Sequence, residues 1–164
     1  MAVRQIRTDN DEILRKKSNV VTEITSRILM ILDDMAETMY VCNGLGLAAP
    51  QIGILRRMAV IDIGDGLIEL INPQIIDCVG EEVDVEGCLS VPGYQGSVVR
   101  PEKVTVRYQN RLGEELTLTA EGLLKKALCH EIDHLDGILY IDKAIDLYKL
   151  FDEDEFYDDF EDEV

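Results

Sequence analysis

Both histidines of the 164-residue chain lie in one segment, His130-Glu131-Ile132-Asp133-His134, which is an HExxH motif. In a helix, side chains four residues apart lie one turn apart on the same face, so both imidazoles can reach one metal ion. Glu131 lies beside them, free to hold a water on that metal. The alternative, two surface histidines, is disfavoured by the apolar setting LLKKALCHEIDHL. The motif predicts a helix that carries a metal site.

A catalytic metal site needs a third protein ligand and an open position for water. The peptidase motif HExxHxxGxxH would place a histidine at residue 140, which is Tyr140 here, and the only later glutamates lie in residues 151–164. The other donors are cysteines, of which three are predicted core residues: Cys42, Cys78 and Cys129. Cys88 follows Gly87 in a predicted loop, where a thiolate can approach an ion on the helix.

The hydrophobic pattern predicts two helices with a group of strands between them. Apolar residues recur every three or four positions from Ile28 to Cys42, which predicts a helix over residues 23–42 with Thr22 as N-cap; the second helix covers 122–136. The predicted strands are 57–63, 68–72, 74–78, 103–109, 114–120 and 138–141, and the short helical segments are 9–16 and 143–150. This order indicates an α+β fold, with short antiparallel or mixed β-sheets around a central HExxH helix, an N-terminal helix and an acidic C-terminal tail.

Charge is distributed unevenly along the chain. The net charge is −17, and residues 151–164 hold nine acids and no base, which leaves 24 acids against 16 bases before them. Because of this excess of acidic residues, residues 1–150 are not expected to bind nucleic acid. No apolar run is long enough to cross a membrane and no secretion signal opens the chain, so we expect a cytoplasmic protein with reduced thiols.

Three segments together carry a family resemblance. Residues 44–51 (GLGLAAPQ), 86–90 (EGCLS) and 130–134 (HEIDH) resemble, in order and spacing, the three motifs of peptide deformylases. The similarity covers roughly residues 1–148, which we expect to form the catalytic domain, with residues 149–164 as an acidic tail. The resemblance implies removal of the formyl group from the N-terminal formyl-methionine of newly made polypeptides, with release of formate.

The resemblance also assigns roles in the reaction. Cys88, His130 and His134 are the expected metal ligands, with water in the fourth position. The resemblance implies iron(II) as the native metal, with zinc(II), nickel(II) or cobalt(II) as alternative occupants. Glu131 is the expected general base and then acid. The side-chain amide of Gln51 and the backbone N–H of Leu89 are the expected donors to the oxyanion.

Five further residues are expected at the substrate site. Gly44 and Gly46 let the backbone run close to the substrate, although a plain helix-to-strand turn also explains them. Glu86 is a candidate to orient the backbone or an arginine near Cys88. Leu123 and Ala127 lie on the helix face of the two histidines, where they line a slot for the methionine side chain or serve as ordinary core.

Two other functions stay open at this point. An HExxH metallopeptidase would cut internal peptide bonds and use a third ligand other than Cys88, whereas a metal-stabilised binding domain would need a closed four-ligand site. The expected partners are formyl-methionyl peptides on ribosome-associated nascent chains. Docking on ribosomal RNA through the tail is not expected, because its nine acids would be repelled.

Overall fold

The computed structural model describes residues 2–8 and 10–150 of the chain. Of the predicted acidic tail, residues 149–164, only Lys149 and Leu150 are described, and Lys149 is the last residue of a strand; residues 151–164 lie outside the described residues. The helices are α1 (Ser26–Val41) and α2 (Gly122–Leu135), and short 3₁₀ turns cover Glu12–Arg15, Ala49–Ile52 and Tyr140–Asp142. The strands are β1 (Gly46–Ala48), β2 (Met58–Ile61), β3 (Ile68–Val79), β4 (Glu82–Cys88), β5 (Val91–Arg100), β6 (Lys103–Gln109), β7 (Glu115–Glu121) and β8 (Ala144–Lys149).

The strands form two antiparallel sheets. The first has the order β1-β2-β3-β6-β7, and the second has the order β4-β5-β8. Helix α2 packs against the first sheet, mainly on β1, β2 and β7, and α1 packs on β1 and β2. The predicted α+β fold is therefore confirmed. None of the described helices combines the length and apolar content needed to cross a bilayer.

Helix α1 forms where the apolar spacing predicts it. Its predicted stripe is buried at Ile28, Leu32, Met35 and Met39, which pack on the first sheet. The helix begins later than expected, because the side chain of Thr25 accepts a hydrogen bond from the backbone N–H of Ile28. Thr25 is thus the N-cap, and the prediction of Thr22 is wrong.

Strand β3 runs through Pro73, where the sequence predicts a break between two strands. Asn72 adopts a positive φ of 51°, and the pairing register between β3 and β6 shifts between Ile71 and Gln74. The Asn72 side chain also exchanges two hydrogen bonds with the backbone of Val21. Proline is tolerated here because a register shift leaves one position without a ladder hydrogen bond.

The end of the described chain corrects two predictions. Residues 138–141 are not a strand, since Tyr140–Asp142 forms a 3₁₀ turn in which the Asp142 side chain accepts from the Leu139 N–H. Residues 143–150 are not helical, because Ala144–Lys149 forms β8 and pairs with β5. Short apolar runs do not distinguish helix from strand, and here tertiary pairing decides between them.

Strands β4 and β5 are missing from the prediction, which places residues 86–93 in a loop. Cys88 is the last residue of β4, and Leu89 and Ser90 form the turn that leads to Val91 of β5. The strands predicted at 103–109 and 114–120 are present as β6 and β7, and they pair as an antiparallel hairpin.

The other cysteines differ in burial. Cys129 is buried as predicted, Cys42 is half-buried, and Cys78 is exposed on β3 rather than in the core.

Candidate functional site

The three sequence motifs meet at an open cavity of about 640 Å³. One wall is formed by residues 43–46, at the end of α1 and start of β1. The opposite wall is formed by residues 86–95 of β4, β5 and the turn between them, and α2 contributes Leu123, Lys126, Ala127, His130 and Glu131. The cavity therefore lies between the start of β1 and the β4–β5 turn, with the HExxH helix at its floor.

Three donor atoms converge beside this cavity. Nε2 of His130 lies 3.3 Å from Nε2 of His134, and Sγ of Cys88 lies 3.4 Å from the latter atom. The ligand atoms of the three residues all lie within 4.8 Å of one another. A tetrahedral ion with bonds of about 2.3 Å to sulfur and about 2.0 Å to nitrogen separates its ligands by roughly 3.3–3.6 Å. The donor set and its spacing therefore fit one divalent metal ion.

The backbone explains how Cys88 reaches the histidines. The two rings lie one turn apart on α2, edge to face with centroids 4.9 Å apart. Glu86 pairs with Gly96 and Cys88 pairs with Val91, so the extra residues of this irregular pairing lie in β5, and β4 continues to Cys88 without an insertion. Cys88 therefore lies on the same face of β4 as Glu86, which contacts His130. Because Cys88 is fixed by a strand end, its position is better defined than the predicted loop would allow.

Glu86 and Arg100 orient the first histidine. Oε1 of Glu86 lies 2.9 Å from Nδ1 of His130, and Arg100 donates to both oxygens of Glu86 at 2.7 and 2.8 Å. With Nδ1 donating to the carboxylate, Nε2 of His130 is left with a lone pair for a metal. Burial favours the neutral acid, but the hydrogen bonds from Arg100 and His130 outweigh it and lower the pKa of Glu86 to about 2.

Arg100 is a residue that sequence reasoning missed. It is almost fully buried at the end of β5, and its third contact is to Asp133, 2.6 Å away on α2. The prediction that Glu86 orients an arginine near Cys88 left that arginine unnamed. The signal that could have found it is the alternation of inward residues Gly96, Val98 and Arg100, which is meaningful only once β5 is recognised.

Tyr140 replaces the third histidine of the longer peptidase motif and has a different place in the site. Its ring stacks on His130 at a centroid distance of 6.0 Å and an interplanar angle of 29°. Tyr140 is 1% exposed and packs with Leu14, Val91 and Val98. It therefore supports the imidazole from the side away from α2 instead of offering a ligand.

His134 and Glu131 are both buried on α2. Burial lowers the pKa of His134, which keeps its imidazole neutral, as metal binding requires. Burial raises the pKa of Glu131 to about 7, and its Oε2 has no hydrogen-bond partner among the described residues. A cation at the three donors would lower the pKa of Glu131 again. A buried carboxyl beside the three donor atoms is suited to proton transfer.

Gly46 leaves room for Glu131. A Cβ atom at residue 46 would lie 3.0 Å from Cγ and 3.1 Å from Oε1 of Glu131. A Cβ at Gly44 would lie 2.9 Å from Cδ1 of Leu89 across the cavity. Both glycines thus stand at the cavity wall where side chains would crowd it, which goes beyond a plain helix-to-strand turn.

Gln51 is held with its amide group toward the sulfur. Its Oε1 accepts from the backbone N–H of Ala48 at 2.9 Å, which assigns the other end as the NH₂. Nε2 then donates to Oγ of Ser90 at 3.1 Å and to Sγ of Cys88 at 3.6 Å. Gln51 is 1% exposed, so this donor is preorganised at the floor of the cavity.

Leu89, Leu123 and Ala127 also line the cavity. Leu123 is 42% exposed at its mouth, so it is not a core residue. Lys126, one turn before His130 on α2, also lines the cavity and donates to the carbonyl of Val85 at 3.0 Å. Ten of the eleven predicted site residues thus line one cavity, and the eleventh, His134, is buried with its Nε2 next to His130.

Comparisons of the sequence and of the structure with known proteins point to the same family. Residues 3–149 match the model of the family described as polypeptide deformylase. The chain is 61% identical to the peptide deformylase of Acetivibrio thermocellus over 94% of this chain and 89% of that protein. The crystal structure of a peptide deformylase from Legionella pneumophila superposes with a TM-score of 0.85 at 46% identity, over 87% of this chain and 86% of that one. The Synechococcus elongatus enzyme, crystallised in complex with actinonin, superposes with a TM-score of 0.83 at 36% identity, over 96% of this chain and 84% of that one. The chain therefore belongs to the polypeptide deformylase family.

Proposed function

We propose that this chain hydrolyses the N-formyl group of formyl-methionyl polypeptides and releases formate. One observation carries the proposal: a thiolate and two imidazoles with tetrahedral spacing lie beside the buried carboxyl of Glu131, in a chain of the deformylase family. The proposed catalytic domain is residues 1–148, with residues 149–164 as the acidic tail.

Cys88, His130 and His134 are the proposed ligands of the single catalytic metal ion that the family implies. Iron(II) is the proposed native metal, and zinc(II), nickel(II) or cobalt(II) suit the same ligands, since a thiolate and two imidazoles match borderline-soft divalent ions. A bound ion supplies Lewis acidity, which lowers the pKa of water and polarises the formyl carbonyl.

Glu131 is the proposed general base and acid. It takes a proton from water as the oxygen attacks the formyl carbon, and the same proton then goes to the methionine nitrogen as the C–N bond breaks. Its carboxyl lies within 3.9 Å of Nε2 of His130, beside the proposed metal position. The exclusion of water around it strengthens its interaction with the charges that develop in the transition state.

Gln51 and Leu89 are the proposed oxyanion donors. As the formyl carbon becomes tetrahedral, its oxygen gains negative charge and needs N–H groups already in place. The amide of Gln51 is fixed by Ala48 and Ser90 on its two sides. The backbone N–H of Leu89 belongs to the turn that follows Cys88 and is therefore tied to the same ligand.

The cavity accommodates a blocked N-terminus with an apolar first side chain. We propose that the methionine side chain packs on Leu123 and Ala127 on α2, because both line the cavity close to His130. The backbone beside Gly44 and Gly46 is accessible to a peptide on the opposite wall.

Nascent chains at the ribosome are the proposed substrates, and the proposed location is the cytoplasm. The HExxH metallopeptidase alternative is not favoured, because Cys88 is one of the clustered donors.

The proposed activity is tested by measuring formate release from a formyl-methionyl tripeptide, with protein reconstituted with iron(II) without oxygen. We expect one formate per free amino terminus formed, and no turnover in the presence of a chelator. The same peptide without formyl serves as the control and should remain intact. Cleavage of an internal peptide bond, without formate, would instead support the metallopeptidase.

A further inference from the structure

Lys125 is a completely buried cation close to the site that the proposed reaction does not use. It lies on α2, five residues before His130, and its side chain is 0% exposed. Its ammonium forms ion pairs with the carboxylates of Glu82 and Asp84, both on β4. Lysine is almost never fully buried unless it is paired, so these contacts are what allows it there.

The two carboxylates belong to the strand that ends in Cys88. Side chains two residues apart point to the same face of a strand, so Glu82, Asp84, Glu86 and Cys88 form one row on β4. Each member of the row contacts α2, because Glu82 and Asp84 bind Lys125, Glu86 binds His130 and Cys88 contacts His134.

These polar contacts, together with those of Lys126 with Val85 and of Arg100 with Asp133, connect α2 to the second sheet. The apolar packing of α2 is on the first sheet, through residues such as Leu128, Ile132 and Leu135. Strand β4 is the outermost strand of the second sheet in the described part of the chain, so its backbone hydrogen bonds are to β5 alone. The position of β4 relative to α2 therefore depends on side chains, of which Lys125 holds the half remote from the metal.

We propose that Lys125 is a positioning residue that holds β4 against α2 and so fixes the distance of Cys88 from the two histidines. This inference rests on the proposed role of these three residues as metal ligands. Without the Lys125 contacts, β4 is held to α2 only from Val85 onwards, by Lys126, His130 and His134, and the sulfur gains freedom to move away from the imidazoles. Metal affinity then falls, because the free-energy cost of ordering the strand opposes metal binding.

The variant Lys125→Met tests this proposal. Methionine keeps an unbranched apolar stem in the buried site, and Glu82 and Asp84 are 40% and 19% exposed, so their carboxylates reach water and the protein folds. We expect its dissociation constant for cobalt(II), measured by competition with a chelator, to rise at least about 10-fold, as for partners that orient metal ligands. The absorption band of the cobalt–thiolate bond should weaken or shift as well.

Arg111→Met is the control for the loss of a cation that bridges two carboxylates. Arg111, itself 37% exposed, pairs with Asp33 on α1 and Glu69 on β3, which are 39% and 15% exposed. We expect this variant to lose stability in urea without any change in cobalt(II) affinity beyond about twofold. Lys125→Arg, which keeps the charge, should recover most of the affinity.

The measurements distinguish a failure of the positioning role of Lys125 from a failure of the metal-ligand assignment. If the parent protein binds cobalt(II) with the thiolate band and Lys125→Met binds it equally well, the positioning role is refuted. An equal loss of affinity in Arg111→Met would also refute it, because the effect would then be a general one. If the parent protein shows no thiolate band, the ligand assignment itself is wrong, and the positioning role is refuted with it.

Discussion

Replacement of Glu131 by glutamine is expected to lower the turnover of a formyl-methionyl peptide by about 10³-fold, within the range for loss of a general acid–base group. Glutamine has the same shape, so the buried site should keep its packing, but it cannot accept the proton from the attacking water. Since Glu131 is not among the three clustered donors, the bound metal should be retained. Formate release and metal content, measured on the same preparation, provide the test.

Glu37→Gln is the control for this variant. Glu37 is a half-buried glutamate on α1 that, like Glu131, has a buried carboxylate oxygen without a partner among the described residues, and it does not line the cavity. Its replacement should leave turnover within about twofold of the parent, because it takes no part in proton transfer. A Glu131→Gln variant that retained more than a tenth of the parent turnover would exclude Glu131 as the base.

Replacement of Arg100 by methionine is expected to lower the free energy of unfolding by about 3–5 kcal/mol, the cost of leaving a buried charge without its partner. Arg100 and Glu86 are each 3% exposed, and Arg100 is also paired with Asp133. Urea unfolding in the presence of a chelator measures the loss without a contribution from metal binding.

The double variant Glu86→Gln/Arg100→Met provides the control for this effect. Once Glu86 is neutral, removal of Arg100 no longer leaves that carboxylate uncompensated, so the double variant should be more stable than Arg100→Met alone. If Arg100→Met lost less than about 1 kcal/mol, the pair would not contribute to stability in the way its burial indicates.

The core of the site could be predicted because it depends on local rules. Helical periodicity alone places His130 and His134 on one face, and the family resemblance of residues 86–90 implies Cys88 as the third ligand. The buried stripe of α1 and the hairpin of β6 and β7 follow from the same kind of periodicity. These features need no knowledge of which strands pair.

Arg100 and Lys125 could not be predicted, because their roles depend on pairing between distant segments. Arg100 meets Glu86 only when β4 and β5 form a hairpin, and Lys125 meets Glu82 only when that hairpin packs beside α2. The residues 86–93 contain two glycines and a proline, which favour a loop when they are considered locally. Tertiary pairing overrides that local preference here.

The error at residues 138–150 has a similar cause. Ala144–Lys149 is exposed along almost its entire length, and its sequence, AIDLYK, shows no regular alternation of apolar and polar residues. Its extended form is determined by hydrogen bonds to β5, from Tyr94 to Val98. A single sequence holds no local signal for a strand of this type.

The central claim is that one sulfur, from Cys88, and two imidazole nitrogens hold one divalent ion. X-ray absorption at the metal edge of zinc-loaded protein measures this directly. The predicted result is one sulfur at about 2.3 Å with nitrogen and oxygen neighbours at about 2.0–2.1 Å, and loss of the sulfur in Cys88→Ala. A first shell of nitrogen and oxygen alone, or one with two sulfurs, would contradict it.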